Sequence, residues 1–469
     1  MSYFEQFEKY GEKTAFLDDR GQSVTYRQLG EFAKETGEKL QKRTLAFVFC
    51  ENSVGSALGY LSFLNNKVVP LMIDRKIDQE LREHLISVYQ PAYLYFPKDM
   101  AEFFEGVSAL HEKYDYVLGR TQFDAAIEMD ERLALLLTTS GSTGSPKLVR
   151  QSYTNVQANA ESIAQYLELD DTEKPITTLP MNYTYGLSII NSHMQVGATV
   201  LLTDKSMMMK GFWDFMKNEK ATSFGGVPFT YELLKKIKFF KMDLPDLRYM
   251  TQAGGKLSPE LHKEFAQWAM ERGKKMIVMY GQTEATARMA YLPAEMSLAK
   301  YGSMGKVIPG GKFLLIDVEG NVIEEPEVVG ELVYEGPNVT LGYATCREDL
   351  AKGDERNGRL VTGDMAKRDA DGYYFIVGRK KRFLKIFGNR VNLDEIDQLI
   401  KQQYEGIDCA STGVDDKMKT YITDESLTAE IKQFLSAKTH LSESAFSVVY
   451  IPEIPKNEAG KTLYKDLPV

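Results

Sequence analysis

The sequence predicts an α/β protein of more than one domain, and three observations carry that prediction. A chain of 469 residues exceeds what one hydrophobic core ordinarily supports. Short apolar runs alternate with longer amphipathic stretches along most of its length, the pattern of parallel sheets covered by helices. From about Lys312 the pattern turns to close-set strands and tight turns, and past Lys381 to a short strand–helix–strand alternation. The expected architecture is a large N-terminal domain, 1–380, of αβ-layered subdomains plus a β-rich subdomain. A small α+β C-terminal domain, 381–469, follows it.

The elements can be justified in order. Ala46–Cys50, Lys67–Leu71, Ala198–Leu202 and Lys275–Tyr280 read as buried strands, and Tyr26–Leu40 and Pro259–Glu271 as helices. Phe313–Asp317 leads into a turn at Glu319-Gly320-Asn321, and Gly330–Tyr334 and Gly372–Val377 continue the strand-rich part. The charged run Arg379-Lys380-Lys381-Arg382 interrupts it, and a helix opens at Asn392 with Asp394 and Glu395 in its first turn.

Composition excludes several classes. With 43% hydrophobic, 26% charged and 11% aromatic residues, the chain has the apolar complement to fold and is not globally disordered. Lys and Arg total 57 against 66 Asp and Glu, a net charge of −9, which argues against a nucleic-acid partner. Cys50, Cys346 and Cys409 lie too far apart for a zinc or disulfide framework, so a reducing cytoplasmic location is expected. The opening residues are too polar for a secretory signal, and no apolar run approaches a membrane span.

The most informative stretch runs from Leu135 to Lys147. A buried strand enters a loop, Thr138-Thr139-Ser140-Gly141-Ser142-Thr143-Gly144-Ser145-Pro146, that closes on Lys147. Small residues let backbone N–H groups face an anion, hydroxyls add donors and the lysine adds charge, so the loop suits a polyphosphate. Pro146 separates the second glycine from the lysine and no GK[ST] follows, which excludes a Walker A ATPase; nor does the spacing fit GxGxxG.

This loop resembles the phosphate-loop signature of the adenylate-forming superfamily, which includes acyl-CoA synthetases, luciferase-type enzymes and peptide-synthetase adenylation domains. Four further matches follow in that family's order. They are Tyr280-Gly281-Gln282-Thr283-Glu284; Gly330-Glu331-Leu332 with Gly342-Tyr343; Thr362-Gly363-Asp364 with Asp371-Gly372-Tyr373 and Gly378-Arg379; and the terminal Pro455…Gly460-Lys461. The resemblance spans nearly the whole chain.

It implies an ATP- and Mg²⁺-dependent enzyme that converts a carboxylic acid to an acyl adenylate and then passes it to a pantetheine thiol, of CoA or of a carrier protein. Glu284 is the expected Mg²⁺ ligand. Thr283 is expected to donate to the α-phosphate, and Lys461 to hold carboxylate and phosphate together. Thr139, Ser140, Gly141, Ser142, Thr143, Gly144 and Lys147 would take the phosphates. Tyr280, Gly281, Gln282 and Ala253-Gly254-Gly255 would take adenine, and Asp364 with Arg379 the ribose. The resemblance also implies a mobile C-terminal domain, hinged at Lys381, with Gly388 lining the thiol tunnel. Lys465 reads as a surface charge.

Leu179–Leu187 matches the acyl-pocket motif, with Tyr183 where many relatives have histidine. Tyr183, Tyr185, Gly186 and Met304 are expected to line the pocket, with Phe229, Tyr231 and Met289 as further candidates that could equally be core. No carboxylate lies between Thr177 and Val200, so an α-amino group has no obvious salt-bridge partner, and amino-acid activation is the disfavoured alternative. A catalytically silent relative would typically lack Lys461 or Glu284, and both are present.

Overall fold

The structure is a computed structural model that describes residues 2–125, 127–138, 147–386, 389–414, 416–439, 441–456 and 462–468, with the side chains of 383, 385, 389 and 390 left aside. Thr139, Ser140, Gly141, Ser142, Thr143, Gly144, Gly388 and Lys461 therefore lie outside the described residues. The chain divides into two compact units, residues 1–312 with 334–360 and residues 313–333 with 361–469. The strand-rich stretch around the expected 380/381 boundary thus groups largely with the C-terminal residues.

Two large sheets organise the first unit. In one, the strands run in the order Gly342–Ala344, Leu148–Ser152, Leu133–Thr138, Val69–Asp74, Leu45–Cys50, Tyr93–Pro97, Tyr116–Arg120, Ser108–Lys113. Its centre is parallel: Leu45–Cys50 pairs with both Val69–Asp74 and Tyr93–Pro97. The strand Leu45–Cys50 is buried throughout, as a strand covered on both faces must be. Its residues divide by alternation. Ala46, Val48 and Cys50 join the core between the sheets, while Leu45, Phe47 and Phe49 join the core on the far face.

The second sheet carries the parallel strands Pro175–Ile176, Ser223–Gly226, Tyr249–Gln252 and Lys275–Tyr280 side by side. The helix Val54–Asn65 is buried on nearly every face because it lies in the core between the sheets. The helix Pro259–Glu271 keeps its expected bounds. Ser258 caps it by accepting from the Leu261 N–H, Pro259 occupies its first turn, and Phe265 and Trp268 are buried.

The second unit holds most of a sheet ordered Lys312–Ile316, Gly330–Glu335, Arg359–Arg368, Tyr374–Arg379. A hairpin of Phe383–Ile386 and Asn389–Asn392 follows, then the helix Leu393–Gln403, capped by Asn392 as the sequence predicts. Lys417–Ile422 and Phe446–Tyr450 pair in parallel and are joined through the helix Thr428–Thr439, a strand–helix–strand crossover. Leu384, Ile386, Ile396, Ile400, Met418 and Ile431 form its core. Among the described residues all three cysteines are free, and no helix is long and apolar enough to cross a membrane.

Candidate active site

Strand Lys275–Tyr280 ends in a bend that only glycine permits: a Cβ on Gly281 would overlap the carbonyl oxygen of Ala287. Thr283–Ala285 then makes a single 3-10 turn, after which Thr286 (φ 61°) and Ala287 (φ 138°) adopt conformations that L-residues rarely take. The strained turn is held from several sides. Asn338 donates through Nδ2 to the carbonyls of Ala285 (2.8 Å) and Arg288 (3.0 Å), and Thr286 Oγ1 donates to the Asn338 carbonyl (2.7 Å). The Glu284 carbonyl accepts from Thr340 Oγ1 at 2.9 Å and from Arg356 Nη1 at 3.0 Å.

The turn presents the Glu284 carboxylate to Tyr343, whose Oη donates to Oε1 at 2.6 Å. Burial, reinforced by that carboxylate, pushes the Tyr343 phenol up to about 12, so it stays protonated and serves as the donor. Arg356 Cζ lies 4.7 Å from the centre of the Tyr343 ring and Lys147 Nζ lies 5.5 Å from it. The position of Tyr343 is a matter of register. Gly342–Ala344 pairs antiparallel with Leu148–Ser152, so the strand leaving Lys147 runs directly beside it.

Arg150, fully buried, locks this edge. Its Nε donates to the Tyr343 carbonyl (3.1 Å), and its Nη2 donates to the Leu341 and Gly353 carbonyls (3.2 Å each) and to Glu355 Oε2 (2.6 Å). A recess of about 330 Å³ opens here, lined by Tyr343, Asp349, Lys352, Glu355 and Arg356 among others. Tyr343 entered the sequence reading only as part of a motif, and Arg356 and Arg150 did not enter it. No local pattern marks them.

Among the described residues no group of three or more Asp, Glu, His or Cys could cage a metal. One carboxylate among cations is what magnesium needs when phosphate oxygens and waters complete its shell, so the residues present fit that ion.

The residues expected to take adenine sit at neighbouring strand ends. Ala253-Gly254-Gly255 follows strand Tyr249–Gln252, which pairs in parallel with the strand ending at Tyr280. The glycine turn and the tyrosine therefore meet at the carboxyl ends of neighbouring strands. Gly254 has φ 82°, and a Cβ there would come within 2.7 Å of Tyr183 Oη. Gln252 Nε2 braces the turn through the carbonyls of Ala253 (3.1 Å) and Gly255 (2.9 Å). Gln282 Nε2 donates to Tyr280 Oη at 3.3 Å.

Tyr183 precedes the helix Thr184–Gln195, and its ring meets that of Tyr185 edge-on at 6.4 Å. Tyr185 is buried and its Oη pairs with Thr251 Oγ1 at 2.8 Å. A Cβ on Gly186 would overlap the Pro180 carbonyl, so the motif's glycine serves a close backbone approach. Met289 and Met304 are buried. Tyr231 is core, its hydroxyl on the Thr251 carbonyl (2.8 Å) and its ring against Phe265, and Phe229 points outward, 49% exposed.

In the second unit Asp364 and Arg379 are cross-strand partners joined by an ion pair, Nε to Oδ1, at 2.7 Å. Lys381 is exposed in the short turn Lys380–Arg382, between two residues that are tied down. Lys380 pairs with Glu331 at 2.7 Å, and Arg382 with Asp394 at 2.8 Å and Asp397 at 2.9 Å. Lys465 is exposed, as expected of a surface charge.

Parallel strands whose ends bring a glycine turn beside a tyrosine, and a carboxylate beside cations, belong here to an ATP-dependent enzyme that activates carboxylic acids as adenylates. The chain belongs to the AMP-binding enzyme family, whose model matches residues 3–344. It is 30% identical over 349 residues to peroxisomal OPC-8:0-CoA ligase 1 of Arabidopsis thaliana, a match covering 71% of this chain and 63% of that protein. It is 27% identical over 489 residues to the 2-succinylbenzoate–CoA ligase of Geobacillus sp. (strain WCH70), covering 97% of this chain and 94% of that one. Its fold is that of the o-succinylbenzoate CoA synthetase of Bacillus subtilis. The structure of that enzyme with its acyl-adenylate intermediate superposes with a TM-score of 0.81, at 20% identity and 99% and 97% coverage. The structure with ATP and magnesium ion gives 0.79, at 20% identity and 99% coverage of both chains.

Proposed function

We propose that this chain joins a carboxylic acid to the thiol of coenzyme A in two half-reactions. In the first, a carboxylate oxygen bonds to the α-phosphorus of ATP, the bond to the bridging oxygen breaks, and pyrophosphate leaves. In the second, the thiol sulfur bonds to the acyl carbon, its proton is released, and AMP departs. The observation that carries this reading is Glu284, held on a strained turn by Tyr343 where Lys147 and Arg356 bring positive charge.

Roles follow from charge and position. Glu284 would hold Mg²⁺, which would supply charge neutralisation for the phosphates. Thr283 donates to the α-phosphate. Thr139, Ser140, Gly141, Ser142, Thr143, Gly144 and Lys147 receive the leaving pyrophosphate. Tyr280, Gly281, Gln282 and Ala253-Gly254-Gly255 take adenine, and Asp364 with Arg379 the ribose hydroxyls. Tyr183, Tyr185, Gly186 and Met304 face the acid. Lys461 bridges carboxylate and α-phosphate during adenylation; residues 381–469 then turn about Lys381, withdrawing the lysine and bringing Gly388 to the thiol path. The CoA ligases among the relatives support CoA as acceptor over a phosphopantetheinyl carrier protein, and three free cysteines suit a cytoplasmic setting.

Acid-dependent ATP–pyrophosphate exchange tests the first half-reaction, and AMP release with CoA or a loaded carrier the second. Lys461→Ala is expected to slow exchange by at least ~100-fold while leaving thiolysis of preformed adenylate within about threefold. Equal loss in both halves overturns the withdrawal of the lysine.

A further inference from the structure

The turn that sets Glu284 also sets Arg288, and Arg288 is left with an unbalanced charge. Only 2% of its surface is exposed. Its Nε donates to Ser188 Oγ (3.2 Å), and its Nη1 donates to Tyr166 Oη (3.2 Å) and Met279 Sδ (2.9 Å). Its guanidinium lies 4.8 Å from the centre of the Tyr185 ring. Every one of these partners is neutral. Among the described residues Nη2 has no hydrogen-bond acceptor, and no carboxylate lies within ion-pair distance.

The neighbours of other arginines differ: fully buried Arg150 reaches backbone carbonyls and Glu355, half-buried Arg382 reaches Asp394 and Asp397, and buried Arg82 lies over the rings of Phe103 and Phe104. A guanidinium cannot shed its proton when buried, so the cost of desolvating it is not escaped by neutralisation. Three neutral acceptors and one ring offset that cost only in part.

The place of the charge gives it a use. Ser188 and Tyr185 belong to the helix that carries the acyl-pocket motif, and Met279 to the strand that ends in Tyr280. We propose that Arg288 binds a second anionic group on the acid, so that the substrates of this enzyme are small dicarboxylic acids. One carboxylate reacts with ATP while the other pairs with the guanidinium, supplying the missing counter-charge through Nη2. The proposal rests on the ligase reading above and sharpens it. The absence of any carboxylate from 178–199 points the same way, since nothing in that motif would repel a second anion.

Exchange assays with paired acids test it. Malonate, succinate, glutarate and phthalate are each compared with their monomethyl ester, which keeps one reactive carboxyl and loses the other charge; fatty, aryl and amino acids complete the panel. The expected result is at least one diacid favoured over its ester by about 100-fold in kcat/KM. In Arg288→Gln that preference falls to within about fivefold through a raised KM for the diacid, with KM for ATP unchanged. Arg288→Lys keeps part of it, as a point charge in place of a fork should. If the esters or the uncharged acids serve as well as the diacids, or if folded Arg288→Gln keeps the preference, the inference is overturned and the ligase reading stands. Should Arg288→Gln not fold, the paired acids on the unmodified enzyme decide alone. Exchange with none of the acids sinks the ligase reading, and this inference with it.

Discussion

Replacing Tyr343 by phenylalanine removes one oxygen atom and, with it, the hydrogen bond that orients Glu284. The bond is short, 2.6 Å, and its acceptor is ionised. Hydrogen bonds of that type contribute about 1.5–3 kcal/mol, and for a half-exposed pair about 1–2 kcal/mol is the fair expectation. The phenylalanine ring keeps the contacts with Arg356 and Lys147, so the loss is confined to the carboxylate. A carboxylate has lone pairs to spare, so a bond from Tyr343 to one oxygen is compatible with the metal-binding role proposed for Glu284. Freed from Tyr343, Glu284 must be ordered anew whenever magnesium and nucleotide bind. The prediction is that kcat/KM for MgATP in the exchange reaction falls by about 5- to 30-fold, the equivalent of 1–2 kcal/mol. The magnesium dependence should shift to higher concentration and urea stability should fall by no more than about 1–2 kcal/mol, while KM for the acid stays nearly unchanged. If magnesium dependence and kcat/KM remain within twofold of the parent, or magnesium is used at lower concentration, Tyr343 does not position Glu284 and the reasoning fails.

Glu284→Gln should lower magnesium-supported exchange by at least ~100-fold, because the replacement keeps the shape and removes the charge; an unaltered magnesium response would remove Glu284 from the metal site. Gly281→Ala places a Cβ against the backbone of Ala287, which cannot swing aside, so a loss of about 2–4 kcal/mol in urea unfolding is expected. A loss below 1 kcal/mol would show that the turn relaxes. Burial pushes both His193 and His262 down to about 4. Above the unfolded value near 6.5 neither state is protonated and the stability is complete; below it the unfolded chain binds protons that the folded chain refuses. Stability should fall by about 2–3 kcal/mol per histidine between pH 6.5 and 4.5, and replacing His193 with glutamine should flatten part of that slope in urea titrations.

The parts of this protein legible in its sequence are those whose chemistry is local. The helix Pro259–Glu271, the strand Lys275–Tyr280 and the helix that opens at Asn392 are written in adjacent residues, and each takes the place the pattern predicts. Glu284 was legible for the same reason, since its neighbours mark it. Its partners were not. Tyr343 stands 59 residues away and reaches the carboxylate only because Gly342–Ala344 pairs with Leu148–Ser152, a register that no short-range pattern encodes. Arg150 and Arg288 show the limit most plainly. In the sequence they are two arginines in unremarkable runs, Leu-Val-Arg-Gln and Thr-Ala-Arg-Met. Folding buries both almost completely and then separates them, one finding a carboxylate 205 residues along the chain and the other finding neutral partners alone. Whether a buried arginine meets a carboxylate, as Arg150 does, rings, as Arg82 does, or neutral acceptors, as Arg288 does, depends on the sum of groups around it. That sum exists only after distant segments have packed, so the site's specificity has to be read from the fold.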